Sequence, residues 1–198
     1  MARMKNFDEQ EVLEKILALF STKGFHKSSL EDILKVAGIG KQSIYDTFGD
    51  KKTLFIKVLT LSKERSNANI DNWMETELYK TSSYDALKNM LFFTDDDSSQ
   101  HGCFILNSKL EFRDEDEQIK EIINSAINYY KAAMRRIIQF GIERGELTEE
   151  LSTDQILAVL INARNGILAG RECGMQDEEL SEIADLTTRL ILKKKKPQ

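Results

Sequence analysis

The sequence predicts an all-α fold of about nine helices, with an N-terminal three-helix domain followed by a larger helical domain. Helix breakers are rare, because the single proline of the 198 residues is Pro197 and only 10 residues are glycine. Apolar residues recur at spacings of three and four along most of the chain, which is the period of an amphipathic helix. The hydrophobic share of 41% and the charged share of 31% fit an ordinary globular protein.

The first helix is predicted from about Asp8 to Lys23. Gly24 follows it at the position where a glycine commonly ends a helix in a left-handed conformation. One face of this helix carries an apolar stripe of Val12, Leu13, Ile16, Leu17 and Phe20.

Two short helices are predicted next, on either side of the tight break Gly38-Ile39-Gly40. Ser28 or Ser29 can cap the first of them, and Ser29 with Asp32 resembles a capping box. The second helix spans residues 41–48. Two short helices joined by a glycine-containing turn are typical of a helix-turn-helix motif.

A long helix is predicted to begin near Lys51, with Asp50 as its cap, and to run past Ser62. We therefore place the domain boundary between residues 1–50 and residues 51–198. A further helix is predicted over residues 83–93, followed by a polar loop over 94–102 and four more helices in the remainder of the chain.

Charge is distributed unevenly along the chain, and this distribution suits an N-terminal region that contacts phosphate. Residues 1–60 carry a net charge of +2, whereas residues 61–192 carry −11 and the whole chain −5. No apolar run is long enough to span a membrane, and residues 1–10 lack the apolar core of a secretory signal, so we expect a cytoplasmic protein.

Enzyme and metal-site motifs are not found in the sequence. The two cysteines, Cys103 and Cys173, are too few for a disulfide framework or a zinc site, and only two histidines are present. Glycine-rich phosphate-binding loops are also absent. We therefore expect no enzymatic activity, no cofactor and no bound metal.

Residues 12–55 closely resemble the N-terminal domain of the TetR family of bacterial transcriptional regulators. The resemblance depends most on Phe20, Gly24-Phe25, Asp32-Ile33, Ala37-Gly38-Ile39, Tyr45, Phe48, Lys51 and Leu54. It implies a homodimer that binds double-stranded operator DNA, most simply a repressor that a small-molecule inducer releases. It also implies that the C-terminal half forms the dimer contact and holds the inducer.

In a helix-turn-helix protein, the N-terminal residues of the second helix lie at base edges in the major groove. Gln42 can pair with adenine, and Lys41 with guanine or phosphate. Asp46 is expected to face solvent or to accept from cytosine. The chain departs from the family at two positions, with Gly40 where a capping Ser or Thr is usual and Gln42 where a small residue is frequent. The predicted DNA-binding residues are Ser29, Lys41, Gln42, Ser43, Tyr45, Thr47 and Lys51, of which Tyr45 and Lys51 match phosphate-contacting positions of the family.

The resemblance implies that the last two long helices pack against their counterparts in a second copy. Each apolar stripe is explained about as well by packing within one chain. The predicted dimer-interface residues are Ile156, Val159, Leu160, Ala163, Ile167, Leu186 and Leu190.

An inducer cavity is expected among the middle helices, although core packing accounts for most of the same side chains. Asn162, Arg164 and Asn165 interrupt an otherwise apolar helix and therefore need polar partners. The predicted pocket residues are Trp73, Phe92, Phe93, Cys103, Phe104, Asn107, Tyr130, Met134, Ile138 and Asn162.

Two alternative functions stay open at this point. His101-Gly102-Cys103 resembles a segment of regulators that sense electrophiles or oxidants, in which a helix N-terminus and a nearby histidine would lower the pKa of the thiol. The other interpretation of Cys103 is an inert buried residue. The second alternative function is a helical ligand-binding protein whose DNA-binding region is degenerate.

Overall fold

The structure is a computed structural model that describes residues 7–93, 103–113 and 115–193. Within these residues the chain divides into two compact units. The first unit combines residues up to Arg65 with residues 103–125, and the second combines residues 66–93 with residues 126–193.

The described residues form nine α-helices, so the all-α prediction is confirmed. None of these helices is both long enough and apolar enough to cross a membrane. The helices are α1 Glu9–Lys23, α2 Leu30–Ala37, α3 Lys41–Phe48, α4 Lys51–Thr76, α5 Ser83–Phe92, α6 Phe104–Phe112, α7 Glu117–Glu143, α8 Thr153–Glu172 and α9 Asp177–Leu190.

Local signals set the ends of the first three helices. Gly24 ends α1 with a φ of 76°, and Gly38 ends α2 with a φ of 67°, both in the region that glycine adopts without strain. Ser29 and Asp32 form the predicted capping box at the start of α2. Gly40 precedes α3 and supplies no side-chain cap, unlike the Ser or Thr that is usual at this position in the family.

The core of the first unit is rich in phenylalanine. The Phe55 ring on α4 lies 5.2 Å from that of Phe20 on α1, and 5.6 Å and 5.0 Å from those of Phe104 and Phe112 on α6. Phe25, after α1, lies 5.1 Å from Phe55. Burial of such large rings supplies much of the driving force for packing α1, α4 and α6 together.

The first unit extends beyond the predicted boundary at residue 50. The first part of α4, all of α6 and the start of α7 belong to it, because Phe55, Phe104 and Phe112 complete its aromatic core. An ion pair between Lys52 and Asp116 also joins the start of α4 to the residues before α7, and it holds the pKa of the Asp116 carboxyl below its usual value.

The second unit packs α5, α8 and α9 with the later parts of α4 and α7. Ser152 and Gln155 form a capping box that begins α8. Gly141 in α7 allows a close approach, since a Cβ there would lie 2.7 Å from side-chain atoms of both Leu147 and Ser83. The fully buried residues of this core include Leu87, Met134, Ile137, Ile138, Ile156, Leu160, Ile167 and Leu180.

Candidate nucleic-acid interface

Helix α3 has one buried face and one exposed face, as a recognition helix requires. Ile44 and Phe48, four residues apart, are almost fully buried and fix the helix backbone to the rest of the unit. Phe7 lies against Phe48, with 6.4 Å between ring centroids. The exposed residues are Lys41, Gln42, Tyr45 and Asp46, and Ser43 and Thr47 are partly exposed.

Two contacts, each between residues one helical turn apart, order the exposed face of α3. Lys41 Nζ lies 5.8 Å from the centroid of the Tyr45 ring, which is within the range of a cation–π contact. Gln42 Nε2 donates a hydrogen bond of 2.7 Å to Asp46 Oδ1. Our sequence interpretation of Asp46 missed this second contact, although the spacing of four residues could have signalled it.

The start of α4 lies directly after α3 and is capped by Asp50, as predicted. The Thr53 backbone N–H donates to Asp50 Oδ1 at 2.7 Å, and this bond lowers the pKa of the Asp50 carboxyl. Lys51 Nζ lies 4.3 Å from the centroid of the Phe25 ring, and partial burial lowers the pKa of Lys51. A phosphate group contacted by Lys51 would therefore compete with this ring for the ammonium.

The two serines before α2 have structural contacts in this unit. The Ser28 hydroxyl is buried and donates to the Gly24 carbonyl at 2.6 Å. The Ser29 hydroxyl accepts from the Asp32 backbone N–H at 3.1 Å. Lys23 donates to Asp32, and together with Ser29 it holds the pKa of that carboxyl well below its usual range. Ser29 thus acts as a cap, and its contact with DNA stays a prediction.

A carboxylate from α6 holds the turn between α1 and α2. Glu111 accepts hydrogen bonds from the backbone N–H of Phe25 at 2.9 Å and of His26 at 2.7 Å. The partners lie about 85 residues apart in sequence, so no local pattern could have indicated the contact. Glu111 therefore links α6 to the turn between α1 and α2.

The predicted pocket residues are divided between the two units. Cys103, Phe104 and Asn107 belong to the first unit, where Phe104 packs against Phe55. Asn162 is exposed on α8, so its side chain does not line the interior of this chain. The other predicted pocket residues belong to the second unit and pack in or against its core: Trp73, Phe92, Phe93, Tyr130, Met134 and Ile138.

Polar contacts accompany the aromatic residues of the second unit. The Arg164 guanidinium carbon lies 4.3 Å from the centroid of the Tyr130 ring, and its Nη2 donates to the Phe93 carbonyl at 2.8 Å. The Tyr130 hydroxyl donates to the Met90 carbonyl at 2.6 Å. His101 and Gly102, which were considered with Cys103, lie outside the described residues.

The predicted dimer residues also fall into two groups. Ile156, Leu160 and Ile167 are fully buried within one chain and belong to its own core. Val159, Leu186 and Leu190 are 45%, 62% and 78% exposed, and Ala163 is partly buried. The apolar surface left for a second copy is therefore narrower than the sequence pattern suggested.

Comparison with known families assigns both parts of the chain. Residues 12–58 match the family described as "Bacterial regulatory proteins, tetR family". Residues 85–182 match "Tetracyclin repressor-like, C-terminal domain". Together the two matches cover most of the chain.

Individual relatives agree with this assignment. The uncharacterized HTH-type transcriptional regulator YezE of Bacillus subtilis is 28% identical over 163 residues, which cover 82% of this chain and 84% of that protein. The HTH-type transcriptional repressor ComR of Escherichia coli is 25% identical over 95% of this chain and 90% of that protein.

A solved structure of a cysteine mutant of the TetR-family regulator CifR, in complex with a 26-base-pair operator DNA, has a similar fold. It gives a TM-score of 0.79 at 18% identity and covers 96% of this chain and all of that chain. With the helix-turn-helix geometry of α2 and α3 and the two family matches, these findings lead to one conclusion. The chain belongs to the TetR family of DNA-binding transcriptional regulators.

Proposed function

We propose that the protein is a repressor that binds operator DNA as a homodimer through α3 and leaves the DNA when a small molecule binds its second unit. The observation that carries the DNA-binding part is the exposed face of α3. It presents Lys41, Gln42 and Tyr45 on a helix whose opposite face is anchored by Ile44 and Phe48. We expect the protein to act in the cytoplasm, where bacterial operators lie, and to have no enzymatic activity.

Binding as a dimer follows from the small size of α3. A single recognition helix contacts few base pairs, and dimers of helix-turn-helix proteins read two half-sites one helical turn apart. Val159, Leu186 and Leu190 give each chain an exposed apolar surface on α8 and α9, which supports the pairing of two copies through these helices.

Release by an inducer is supported by the composition of the second unit. Ligand sites are mostly apolar and aromatic, with a few polar groups that orient the ligand. Trp73, Phe92 and Phe93 pack against the core of this unit, and Arg164 lies against Tyr130 among them. A small organic molecule that replaces some of these contacts would release the DNA only if it bound the released state more tightly than the DNA-bound state.

The test of DNA binding uses the full-length chain and a random double-stranded library, followed by fluorescence anisotropy on the selected duplex across a salt series. Lys41→Ala should weaken binding at least about tenfold and reduce the salt slope by about two, because each subunit of the dimer loses one phosphate-contacting cation. Lys80→Ala removes the same charge from an exposed site in the second unit and should leave both quantities unchanged.

Two outcomes would count against the proposal. If the selection enriches no duplex, the proposal that the protein binds operator DNA is wrong. Equal losses for Lys41→Ala and Lys80→Ala would mean that a general charge effect, rather than α3, governs binding. If neither outcome occurs, the selected duplex serves to screen small molecules for their ability to release the protein from DNA.

Thiol sensing through Cys103 is the weaker alternative. Cys103 precedes α6 and is only 6% exposed, whereas sensor thiols are accessible to the oxidants they detect. Cys173 is exposed. A thiol reagent should therefore modify Cys173 quickly in the folded protein and Cys103 only on unfolding, as mass spectrometry of the labelled peptides would resolve. Fast labelling of Cys103, with loss of DNA binding in a Cys173→Ser background, would favour the sensor instead.

A further inference from the structure

We propose that Asp46 is a positioning residue, which holds the amide of Gln42 so that it reads adenine in the major groove. The inference rests on the proposed function, because it applies only if the exposed face of α3 meets DNA bases. It assigns to Asp46 a role in base selection and to Gln42 a preferred base.

The geometry begins with the hydrogen bond of 2.7 Å from Gln42 Nε2 to Asp46 Oδ1. Both side chains are exposed, and no part of the buried face of α3 restrains them. The backbone that carries them is held in place, however, because Ile44 and Phe48 are buried beneath it. A glutamine side chain has three rotatable bonds and is otherwise free in solvent, so a partner one turn away reduces the rotamers available to it.

The hydrogen bond also decides which groups of the amide remain for DNA. A glutamine amide has two N–H donors and one carbonyl acceptor. With one donor used by Asp46, Gln42 keeps one N–H and its Oε1. These two groups match adenine, which presents the N6 amino donor and the N7 acceptor side by side in the major groove.

The carboxylate of Asp46 discriminates against the other bases. Guanine presents two acceptors, O6 and N7, which a negative charge beside the amide would repel. Thymine offers one acceptor and a methyl group, and cytosine offers a single amino donor. Only adenine offers both an amino donor for Gln42 Oε1 and an acceptor for the remaining N–H of the Gln42 amide.

Another explanation of the pair is that it stabilises α3 without influencing base choice, as glutamine–aspartate pairs at this spacing do in helices. The two explanations differ in what they predict. A stabilising pair changes affinity for all duplexes by the same factor, whereas a positioning pair changes the ratio of affinities between duplexes that differ at one base pair.

The experiment starts from the duplex selected by the full-length protein and from its variants at each base pair. The base pair read by Gln42 is the one at which Gln42→Ala removes the preference. Competition anisotropy then measures affinity for the four bases at that position, using the wild type, Asp46→Ala and Asp46→Asn. Glu31→Ala, which removes an exposed acid from α2, controls for the loss of one negative charge near DNA.

The wild type should prefer adenine by about tenfold or more, the scale of a good bidentate contact. Asp46→Ala should reduce the preference to about threefold or less, because the amide loses its fixed orientation. Asp46→Asn, whose side-chain oxygen can still accept from Gln42, should retain most of the preference over cytosine and thymine but exclude guanine less. Glu31→Ala should shift affinity for all four duplexes equally.

The inference is overturned if Asp46→Ala leaves the base ratio unchanged, or if Gln42 selects a base other than adenine. Either result would leave DNA binding intact and would therefore spare the proposed function. If no duplex is enriched in the initial selection, the proposed function fails first and the inference fails with it.

Discussion

At the scale of single residues, Glu111 of α6 joins parts of the first unit that are distant in sequence. Its carboxylate accepts from two consecutive backbone N–H groups, those of Phe25 and His26, in the turn between α1 and α2. Hydrogen bonds to a charged acceptor are stronger than those between neutral groups. The turn also brings Phe25 into contact with Phe55 and Phe112, so one side chain of α6 supports the packing of the helix-turn-helix.

Glu111→Gln should destabilise the protein by about 1–2 kcal/mol, because an amide presents one oxygen where the carboxylate presents two. The amide nitrogen would face a backbone N–H and repel it. Thermal unfolding followed by circular dichroism measures the loss. Glu121→Gln, at an exposed position on α7 in the same unit, is the matched control and should unfold like the wild type. Equal unfolding of the two variants would show that the contact contributes no stability.

The residues that could be predicted from the sequence and those that could not differ in how far apart their partners lie. Ser29 and Asp32 are three residues apart, so the capping box at the start of α2 was evident from the chain alone. Glu111 and His26 are 85 residues apart and meet only after α6 packs beside α1. Asp46 was expected to face solvent or to accept from cytosine, because no partner was sought one turn away on α3.

At the scale of the helix, Gly141 shows how a residue of low helix propensity can be required by packing. It lies inside α7, where glycine costs about 1 kcal/mol relative to alanine. Leu147 and Ser83 nevertheless approach so closely that a Cβ at this position would meet their side chains at 2.7 Å. Overpacking a well-filled core costs about 1–3 kcal/mol, which matches or exceeds the gain in helix propensity.

Gly141→Ala should therefore lower the melting temperature by up to about 6 °C, the shift expected for a net loss of up to about 2 kcal/mol in a chain of this length. Ala132→Gly, at an exposed position of the same helix, makes the reverse exchange where nothing crowds it and should also destabilise. Calorimetry on both variants measures whether each melting temperature falls or rises relative to the wild type. A rise in melting temperature for Gly141→Ala would mean that Leu147 and Ser83 can move aside at little cost.

The sequence predicted the helices of the second unit better than it predicted which helical faces are buried within the chain. Ile156 and Val159 belong to the same apolar stripe of α8, yet the structure buries Ile156 completely and leaves Val159 about half exposed. Periodicity identifies an apolar face, but it cannot divide that face between a partner helix of the same chain and a partner helix of another.

At the scale of the whole molecule, the exposed leucines of α9 are the feature that a single chain does not explain. Leu186 and Leu190 are four residues apart and therefore lie on one side of the helix, largely in solvent. Isolated exposed apolar residues are common, but adjacent ones mark surfaces that associate. We therefore expect α9 to contact a second copy of the chain.

Leu186→Glu should convert the dimer to a monomer, because a charge would be buried against an apolar partner surface. Analytical ultracentrifugation measures the mass, and anisotropy on the selected operator measures the accompanying loss of affinity. Leu110→Glu places the same charge at a leucine of α6 that is 67% exposed, and it should leave the mass unchanged. If Leu186→Glu keeps the mass of the wild type, the dimer contact lies elsewhere.

Two helices, α4 and α7, each contribute residues to both compact units. The unit that contains the helix-turn-helix consequently includes residues beyond position 50, among them Phe55, Phe104 and Phe112. Cutting after residue 50 would remove those rings and the carboxylate of Glu111. A hybrid protein that joins this helix-turn-helix to a C-terminal domain of another protein must therefore carry α6 and the starts of α4 and α7 along with the first three helices, and its junctions belong inside α4 and α7.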